Sequence, residues 1–339
     1  MINPEVSVLM PVYNAEAYIG QAIESILNQT FKDYEFIIIN DGSTDASGQV
    51  ILTFSDDRIV YKDHSQNQGL ISTLNEGIEI ANGRYIARMD NDDISVSTRL
   101  EKQYLFMEAN PEIDILGTWF SVIGSDIKKI LPVSDAECKV KLLQNNVFGH
   151  PTIFIRKDSL LGNGLKYNSS CLHAEDYRLW TESAIRGLKF ANLPKILLNY
   201  RVYPEQTSKL MHGVQSETSN QVRLFYGGYY FKDLIQNNED FYLELIDATI
   251  SNYKSYLWAR KFVEKAMIIN ESNNYLDKNH LKSLFEESLD SCARFQYPLW
   301  KGFSFGSTLR SILDKRFYKY LTIKNKIKFL LRSMREVCS

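Results

Sequence analysis

The chain has 339 residues, 44% hydrophobic and 24% charged, with a formal net charge of −2. That composition is enough to build one large domain or two smaller ones around a sizeable core. A charge so near zero carries no field directed at nucleic acid.

In chain order, VSVLMPV at residues 6–12 is a short apolar run and reads as a buried strand. Tyr18, Ile19, Ala22, Ile23, Ile26 and Leu27 then recur at helical spacing. YEFIII at 34–39 predicts a second strand, closed by the dense turn signal NDGSTD. Residues 49–54 predict a short helix, 58–62 a third strand, 70–81 a helix ended by Asn82-Gly83, and 85–89 a fourth strand. Further on, the pattern predicts a helix over 98–110 and a strand pair or hairpin over 113–123. It also predicts a helical turn over 139–143, a strand over 152–155, a helix over 174–186 and a last strand over 196–200.

Strands with almost no polar alternation, separated by helices, predict an α/β fold with a mostly parallel, Rossmann-like sheet covered on both faces. In such sheets a ligand sits beyond the carboxyl ends of the strands. Three polar turns, Pro11–Asn14, Asp41–Asp45 and Asp90–Asp93, converge on that edge. Past Ser208 the pattern turns all-helical, which predicts one domain over 1–208 and a helical region over 209–339, with a boundary near Lys209.

Charge is unevenly spread. From Thr308 onward nine Lys or Arg face two Asp or Glu, a net of +7, which leaves the first 307 residues at −9. Apolar residues from Leu313 to Met334 fall on one helical face, which suits either a packed basic helix or an interfacial helix on an anionic membrane. The cysteines at 138, 171, 292 and 338 show no C-x-x-C spacing, so neither a disulfide framework nor a zinc site is expected. No signal-peptide pattern or span-length apolar run is evident, so the cytoplasm is expected, with the inner face of the cell membrane as a peripheral location.

Six stretches carry chemistry. Asp90-Asn91-Asp92-Asp93 (DNDD) suits a solvated, helix-capping turn or a divalent cation that keeps positions open for phosphate oxygens. In PVYNAE, Asn14 suits a cap, and Tyr13 offers a face on which a nucleobase could stack. In NDGSTD, Asp41 stands at a strand end where its carboxylate could accept from a base N–H. In HAEDYRLW, Glu175 and Asp176 suit charge complementation at a helix start or a general base. His150 in FGHPTIF stands before a proline and Arg201 in NYRVYPEQTS after an apolar run; a lone histidine is more often structural than catalytic. Neither G-x-G-x-x-G nor G-x-x-x-x-G-K-[ST] occurs, so dinucleotide binding and a P-loop are disfavoured.

Taken in order, SVLMPVYNAE, IIINDGSTD, NQGLISTLNEGIEIANGRYIARMDNDD, GHPTIFIRK, AEDYRLW and LLNYRV resemble the inverting glycosyltransferases of family 2, over residues 5 to about 208. The resemblance implies a GT-A fold and a nucleotide diphosphate sugar as donor, a UDP-sugar by expectation. It implies that Pro11, Tyr13, Asn14 and Asp41 hold the base and that Asp90, beside Asn91, meets the ribose. Asp92 would ligate Mn²⁺ or Mg²⁺, and Asp176, with Glu175 beside it, would be the catalytic base. Asn67, Gly69 and Arg84 would shape the base and ribose pocket. The expected acceptor is a glycan or lipid-linked saccharide of a bacterial surface polysaccharide. Relatives often carry His where Tyr203 stands, so His150 or water is expected to complete a metal shell. A sugar nucleotidyltransferase and a non-catalytic sugar-nucleotide-binding scaffold are the rival readings. The first lacks a Gly-rich basic loop after the first strand, and the second has no use for a base.

Overall fold

The computed structural model describes residues 3–204, 206 and 211–292. It divides into two compact units, Met1–Val222 and Arg223–Ser339. The boundary expected near Lys209 and the basic helix expected from 308 onward lie outside the described residues.

The first unit opens with alternating strands and helices: β1 (Val6–Val12), α1 (Ile19–Leu27), β2 (Tyr34–Asn40), α2 (Ser47–Leu52), β3 (Ile59–Asp63), α3 (Leu70–Ile80) and β4 (Tyr85–Arg88). All four strands run parallel, in the spatial order β3-β2-β1-β4, with Val6 opposite both Tyr34 and Tyr85. Every residue of β1 is buried, as are Ile37, Ile38 and Ile39 of β2, which explains the missing alternation. Each such aliphatic side chain contributes about 1.5–3 kcal/mol by leaving water. The helix α1 turns Ile19, Ala22, Ile23 and Ile26 onto this sheet.

Beyond β4 the sheet becomes mixed. Its elements are β5 (Ile94–Ser95), α4 (Arg99–Ala109), β6 (Ile115–Val122), β7 (Lys128–Lys129), α5 (Asp135–Lys141), β8 (Phe154–Arg156), α6 (Lys157–Gly162), α7 (Glu175–Ile185) and β9 (Phe190–Tyr200). The order continues β4-β8-β6-β9-β5, with β8 antiparallel to β4 and to β6, β9 parallel to β6, and β7 hanging from β6. The strand pair expected over 113–123 is therefore one strand, and its hairpin partner is the two-residue β7.

Two buried polar side chains fasten the carboxyl end of β4. Arg99, fully buried, donates to the carbonyls of Arg88 (2.7 Å) and Pro151 (2.9 Å) and to Gln103 Oε1 (3.2 Å). Gln29 donates to the carbonyls of Ser25 and Val96 and accepts from Leu100 N at 3.0 Å. The segment after β4 is thereby tied both to the turn His150–Thr152 and to the end of α1.

The second unit is helical: the last part of α8 (His212–Ile235), then α9 (Glu239–Ile246), α10 (Tyr253–Asn273) and α11 (Lys278–Ser291). The helix α8 kinks at Phe231. The Phe262 ring meets Phe231, Tyr242, Trp258 and Phe285 at centroid distances of 5.1–5.9 Å, which makes the aromatic centre of this unit. Among the described residues no helix is long and apolar enough to cross a membrane.

One glycine has no substitute in this geometry. Gly42 has φ +67°, and a Cβ there would stand 2.5 Å from the carbonyl carbon of Gln66. Gly42→Ala combines a left-handed residue with a backbone collision. It is expected to cost about 2 kcal/mol or more and to lower the unfolding midpoint by roughly 4–8 °C. Circular dichroism melting measures this, and a midpoint within about 1 °C of wild type contradicts the packing described.

Candidate functional site

The carboxyl ends of β1, β2 and β4 bring three polar loops together. The loops after β1 and β2 are stitched side by side. Asn14, in the left-handed region with φ 48°, accepts from Thr44 N at 2.9 Å, and its own N–H donates to Ser43 Oγ at 3.0 Å. Ala15 N donates to Ser47 Oγ (2.7 Å) and Glu16 N to Asp45 Oδ2 (3.0 Å). Tyr13 stands on this platform with its side chain 47% exposed, open to stack on a flat ring.

Asp41 is buried but well partnered. Its Oδ1 meets His64 Nδ1 (2.8 Å) and accepts from Gln68 N (2.9 Å); its Oδ2 accepts from Gly69 N (2.8 Å). Asn67 Nδ2 donates to the Asp41 carbonyl at 3.1 Å. A carboxylate offers about four acceptor positions, so roughly one stays open for an incoming N–H. His64 also meets Glu76 Oε2 at 2.7 Å. Its hydrogen bond to Asp41, aided by Glu76, holds the imidazole pKa above its ordinary value.

The acidic turn lies alongside. Asn91 Nδ2 donates to the Pro11 carbonyl at 3.0 Å, which locks the turn to the first loop. Asp90, Asp92 and Asp93 each present a carboxylate oxygen, all within 4.8 Å of one another. Arg201 closes the far side: its N–H donates to Asp93 Oδ1 and its Nε to the Asp92 carbonyl, both at 2.8 Å. Tyr203 OH donates to Asp92 Oδ2 at 3.0 Å. Asp93 Oδ2 is buried and has no partner among the described residues. Burial, and then the charge of Asp90, push the pKa values of Asp92 and Asp93 upward. Hard oxygen donors gathered this closely, one of them orphaned, fit a Mg²⁺- or Mn²⁺-type cation.

The second acidic group starts α7. Asp176 accepts from Asn146 Nδ2 and from Tyr177 N, both at 2.6 Å. Glu175 is 6% exposed, and its Oε2 has no partner among the described residues. Burial raises the pKa of both, and in Glu175 the charge of Asp176 adds to the effect. Arg88, 4% exposed, has its Nη2 paired with Asp90 Oδ1 at 2.5 Å. Its charge lowers the pKa values of Asp92, Asp93, Glu175 and Asp176 as well, against the larger effect of burial. A cavity of about 610 Å³ opens beside Gly69 and Ser72 on one wall and Lys166 and Tyr167 on the other.

Of the expected residues, Pro11, Asn14, Asp41, Asn67, Gly69 and Asn91 are brought into this one hydrogen-bonded assembly. Arg84 is not: it precedes β4, at the amino end of the strand, and is held there by Glu5 and Glu108. It belongs to the edge opposite the site. His150 is also corrected as a metal ligand. Its Nε2 meets the Tyr167 hydroxyl at 2.8 Å, its ring packs edge-on to Trp180, and the acidic cluster does not include it. Burial, and then Arg88, hold the His150 pKa well below the ordinary imidazole value.

Four residues went unread in the sequence: Arg88, His64, Asn146 and Tyr167. Arg88 carried a signal, a charge at the end of an otherwise apolar strand. The other three stand in segments without a pattern.

The residues 7–164 match the model of the family described as Glycosyl transferase family 2. An uncharacterized glycosyltransferase of Haemophilus influenzae is 35% identical over 235 residues, 65% of this chain and 72% of that protein. The O-antigen biosynthesis glycosyltransferase WbnJ of Escherichia coli is 34% identical over 215 residues, 60% of this chain and 82% of that one. Among solved structures, TarS 1–349 of S. aureus in complex with UDP-GlcNAc matches with a TM-score of 0.56 at 15% identity, covering 86% of this chain and 92% of that one. The mannosyltransferase PcManGT of Pyrobaculum calidifontis, in complex with GDP-Man and Mn²⁺, matches with a TM-score of 0.52 at 15% identity, covering 86% and 87%. The chain therefore belongs to glycosyltransferase family 2, with a GT-A sheet flanked by helices and a helical C-terminal region.

Proposed function

We propose that the chain is a metal-dependent, inverting glycosyltransferase. It moves a sugar from a UDP-sugar to a hydroxyl of a glycan or lipid-linked saccharide, forming a β-bond from an α-linked donor, in the assembly of a bacterial surface polysaccharide. The catalytic unit is residues 1–208. The observation that carries this reading is the cluster of Asp90, Asp92 and Asp93 at the carboxyl edge of the sheet, its carboxylate oxygens within 4.8 Å of one another and Asp90 paired with the buried Arg88. The O-antigen role in the name of WbnJ and the nucleotide sugars bound to TarS and PcManGT support the substrate class.

In this reading Tyr13 stacks on the base and Asp41 accepts its N–H. Asp92, with Asp93 and Asp90 beside it, would hold Mn²⁺ or Mg²⁺; when bound, the ion supplies Lewis-acid stabilisation of the departing diphosphate. Asp90 also faces the ribose. Asp176, oriented by Asn146 and the Tyr177 N–H, takes the proton of the acceptor hydroxyl as its oxygen bonds to the anomeric carbon. The electron pair of the breaking C–O bond leaves with the nucleoside diphosphate, and attack from the opposite face inverts the centre.

A positioned base contributes about 10²–10⁴-fold, so Asp176→Asn is expected to lower transfer by that factor while UDP binding in Mn²⁺ persists. Release of nucleoside diphosphate across a panel of nucleotide sugars measures the first, calorimetry the second. Full transfer by this variant removes Asp176 from the mechanism. Because burial raises the Asp176 pKa and the ionised form accepts the proton, activity is lost on acidification at a pH above the ordinary carboxylate range.

Asp92→Asn removes a charged oxygen ligand and is expected to weaken Mn²⁺ binding by on the order of 100-fold. Titration with Mn²⁺ in the presence of UDP reads this directly, and an unchanged affinity moves the cation elsewhere.

The basic stretch from 308 gives the protein a peripheral place on anionic lipid in this proposal. The full chain is expected to sediment with phosphatidylglycerol vesicles at low salt and to be released as salt screens the attraction. Absence of binding at low salt ends that part of the proposal.

A further inference from the structure

We propose that His64 is a positioning residue for the nucleotide base: clasped as an imidazolium between Asp41 and Glu76, it occupies Asp41 Oδ1 and leaves Oδ2 as the oxygen that meets an incoming base N–H. This rests on the reading of Asp41 as the acceptor of that N–H.

The protons of the clasp can be counted. His64 Nδ1 lies 2.8 Å from Asp41 Oδ1, and Nε2 lies 2.7 Å from Glu76 Oε2. Both partners are carboxylate oxygens, so each contact needs a proton between its two atoms. A neutral imidazole carries one N–H, and its other nitrogen would turn a lone pair toward a carboxylate. The second proton belongs on the ring, which is the strongest base of the three, at about 6.5 against about 4 for carboxyls in their ordinary states. Asp41 is loaded as an acceptor in any case, since Gln68 N and Gly69 N also donate to it.

The charges along this line alternate. Asp41 and His64 are buried, Glu76 is half-buried, and the exposed Lys62 pairs with Glu76. Carboxylate, imidazolium, carboxylate and ammonium sum to zero, which offsets the cost of burying the inner pair. These are the charged groups that face the ring: Asp41 from the end of β2, Glu76 from α3 and, through Glu76, Lys62 from β3. Asp63, beside His64 in the chain, is taken up by Asn40 Nδ2 at 2.8 Å.

A carboxylate oxygen has two lone pairs. Those of Asp41 Oδ1 are filled by His64 and Gln68 N, whereas Oδ2 meets only Gly69 N among the described residues. His64 thus settles which oxygen stays free. Both backbones are anchored as well: His64 N donates to the Asn40 carbonyl at 2.9 Å, and Asp41 N to the Val12 carbonyl at 2.8 Å. Fastening α3 to the sheet would need only the contact with Glu76. The other ring nitrogen is given to the group that meets the base.

An imidazolium-to-carboxylate hydrogen bond is roughly twice as strong as a neutral one. The bond to Asp41, aided by Glu76 and opposed by burial, raises the His64 pKa above 6.5. The contribution of the charged ring is therefore complete below 6.5 and is lost as pH rises through the folded midpoint.

The full chain labelled with ¹⁵N in its histidine rings reports each ring nitrogen, and His64→Gln removes the signals that assign them. Both nitrogens of His64 are expected to be protonated together, with a midpoint above 6.5 that falls by about one pH unit in Glu76→Gln. UDP affinity is then measured by calorimetry in Mg²⁺ across the same range, for wild type and His64→Gln. Glutamine offers a neutral donor, as the deprotonated ring does, and the ratio of the two affinities cancels titrations that both proteins share. Wild type is expected to bind about tenfold tighter below the midpoint and within about twofold above it. A merely structural role gives a ratio that does not change with pH. A midpoint at or below 6.5, or a constant ratio, overturns the proposal. Where His64→Gln does not fold, Glu76→Gln decides. A histidine midpoint lowered there, with UDP affinity falling at correspondingly lower pH, supports the proposal; unmoved midpoints, or a lowered one without that change in affinity, overturn it. UDP methylated at N3 lacks the base N–H and tests the underlying reading separately. Equal binding of the two nucleotides to wild type, or binding of neither, overturns Asp41 as the base contact and with it the role of His64. Preference for UDP together with a constant ratio overturns His64 alone.

Discussion

Five carboxylates, Asp90, Asp92, Asp93, Glu175 and Asp176, lie within electrostatic reach of the buried Arg88, and the arrangement of the site follows from that excess of negative charge. Burying like charges together is unfavourable in proportion to how dry the site is, and Asp93 is fully buried. A fold tolerates this only where other interactions hold the groups in place. Here Arg99 and Gln29 hold the backbone rather than the charges: their donors go mainly to carbonyls and the Gln29 acceptor to an N–H group. The scaffold relieves the acidic turn only in part: Arg88 pairs with Asp90, Tyr203 and the Arg201 N–H bond Asp92 and Asp93, and Asp93 Oδ2 keeps no partner among the described residues. Unsatisfied local choices of this kind are expected at functional sites, not in cores.

The parallel half of the sheet was legible because its strands are buried on both faces and lie between amphipathic helices. The mixed half was less so, and β9 shows why. Its sequence, FANLPKILLNY, reads as a strand only from Ile196, because Pro194 and Lys195 break the apolar run. In the structure the strand begins at Phe190, and those two residues bulge out, exposed, where the register against β6 shifts from Thr118–Leu193 to Trp119–Ile196. Proline is tolerated in a strand at such a bulge, where no ladder bond is asked of it. The two-residue β5 and β7 are too short for any periodicity to register.

The site shows the same limit in another form. Arg84 and Arg88 flank one four-residue strand, and only the direction of that strand separates a surface ion pair from the centre of the site. At about 3.3 Å per residue the two lie roughly 13 Å apart, on opposite edges of the sheet. Motif spacing alone does not tell them apart; strand polarity combined with the rule that ligands bind at carboxyl ends does. Asn146 and Tyr167 could not be found this way. They reach Asp176 and His150 from segments whose course depends on tertiary packing.

The two ends of the site differ in how their charge is settled, and this difference connects fold to chemistry. At the end proposed for the nucleotide, Asp41 already has His64 and two backbone N–H groups, so its geometry is fixed before anything binds. Such preorganisation lowers the cost of ordering a ligand, which suits a pocket for a rigid base. At the end proposed for the diphosphate, Asp92 and Asp93 are held by a phenol and Arg201, yet one carboxylate oxygen has no partner among the described residues. A site settled at both ends would gain nothing electrostatic from an incoming cation. A site unsettled at both ends would hold no geometry for the sugar. In the proposed reaction this combination would leave the reacting bond between a fixed point and a charge-hungry one, where added positive charge has its largest effect on the leaving group.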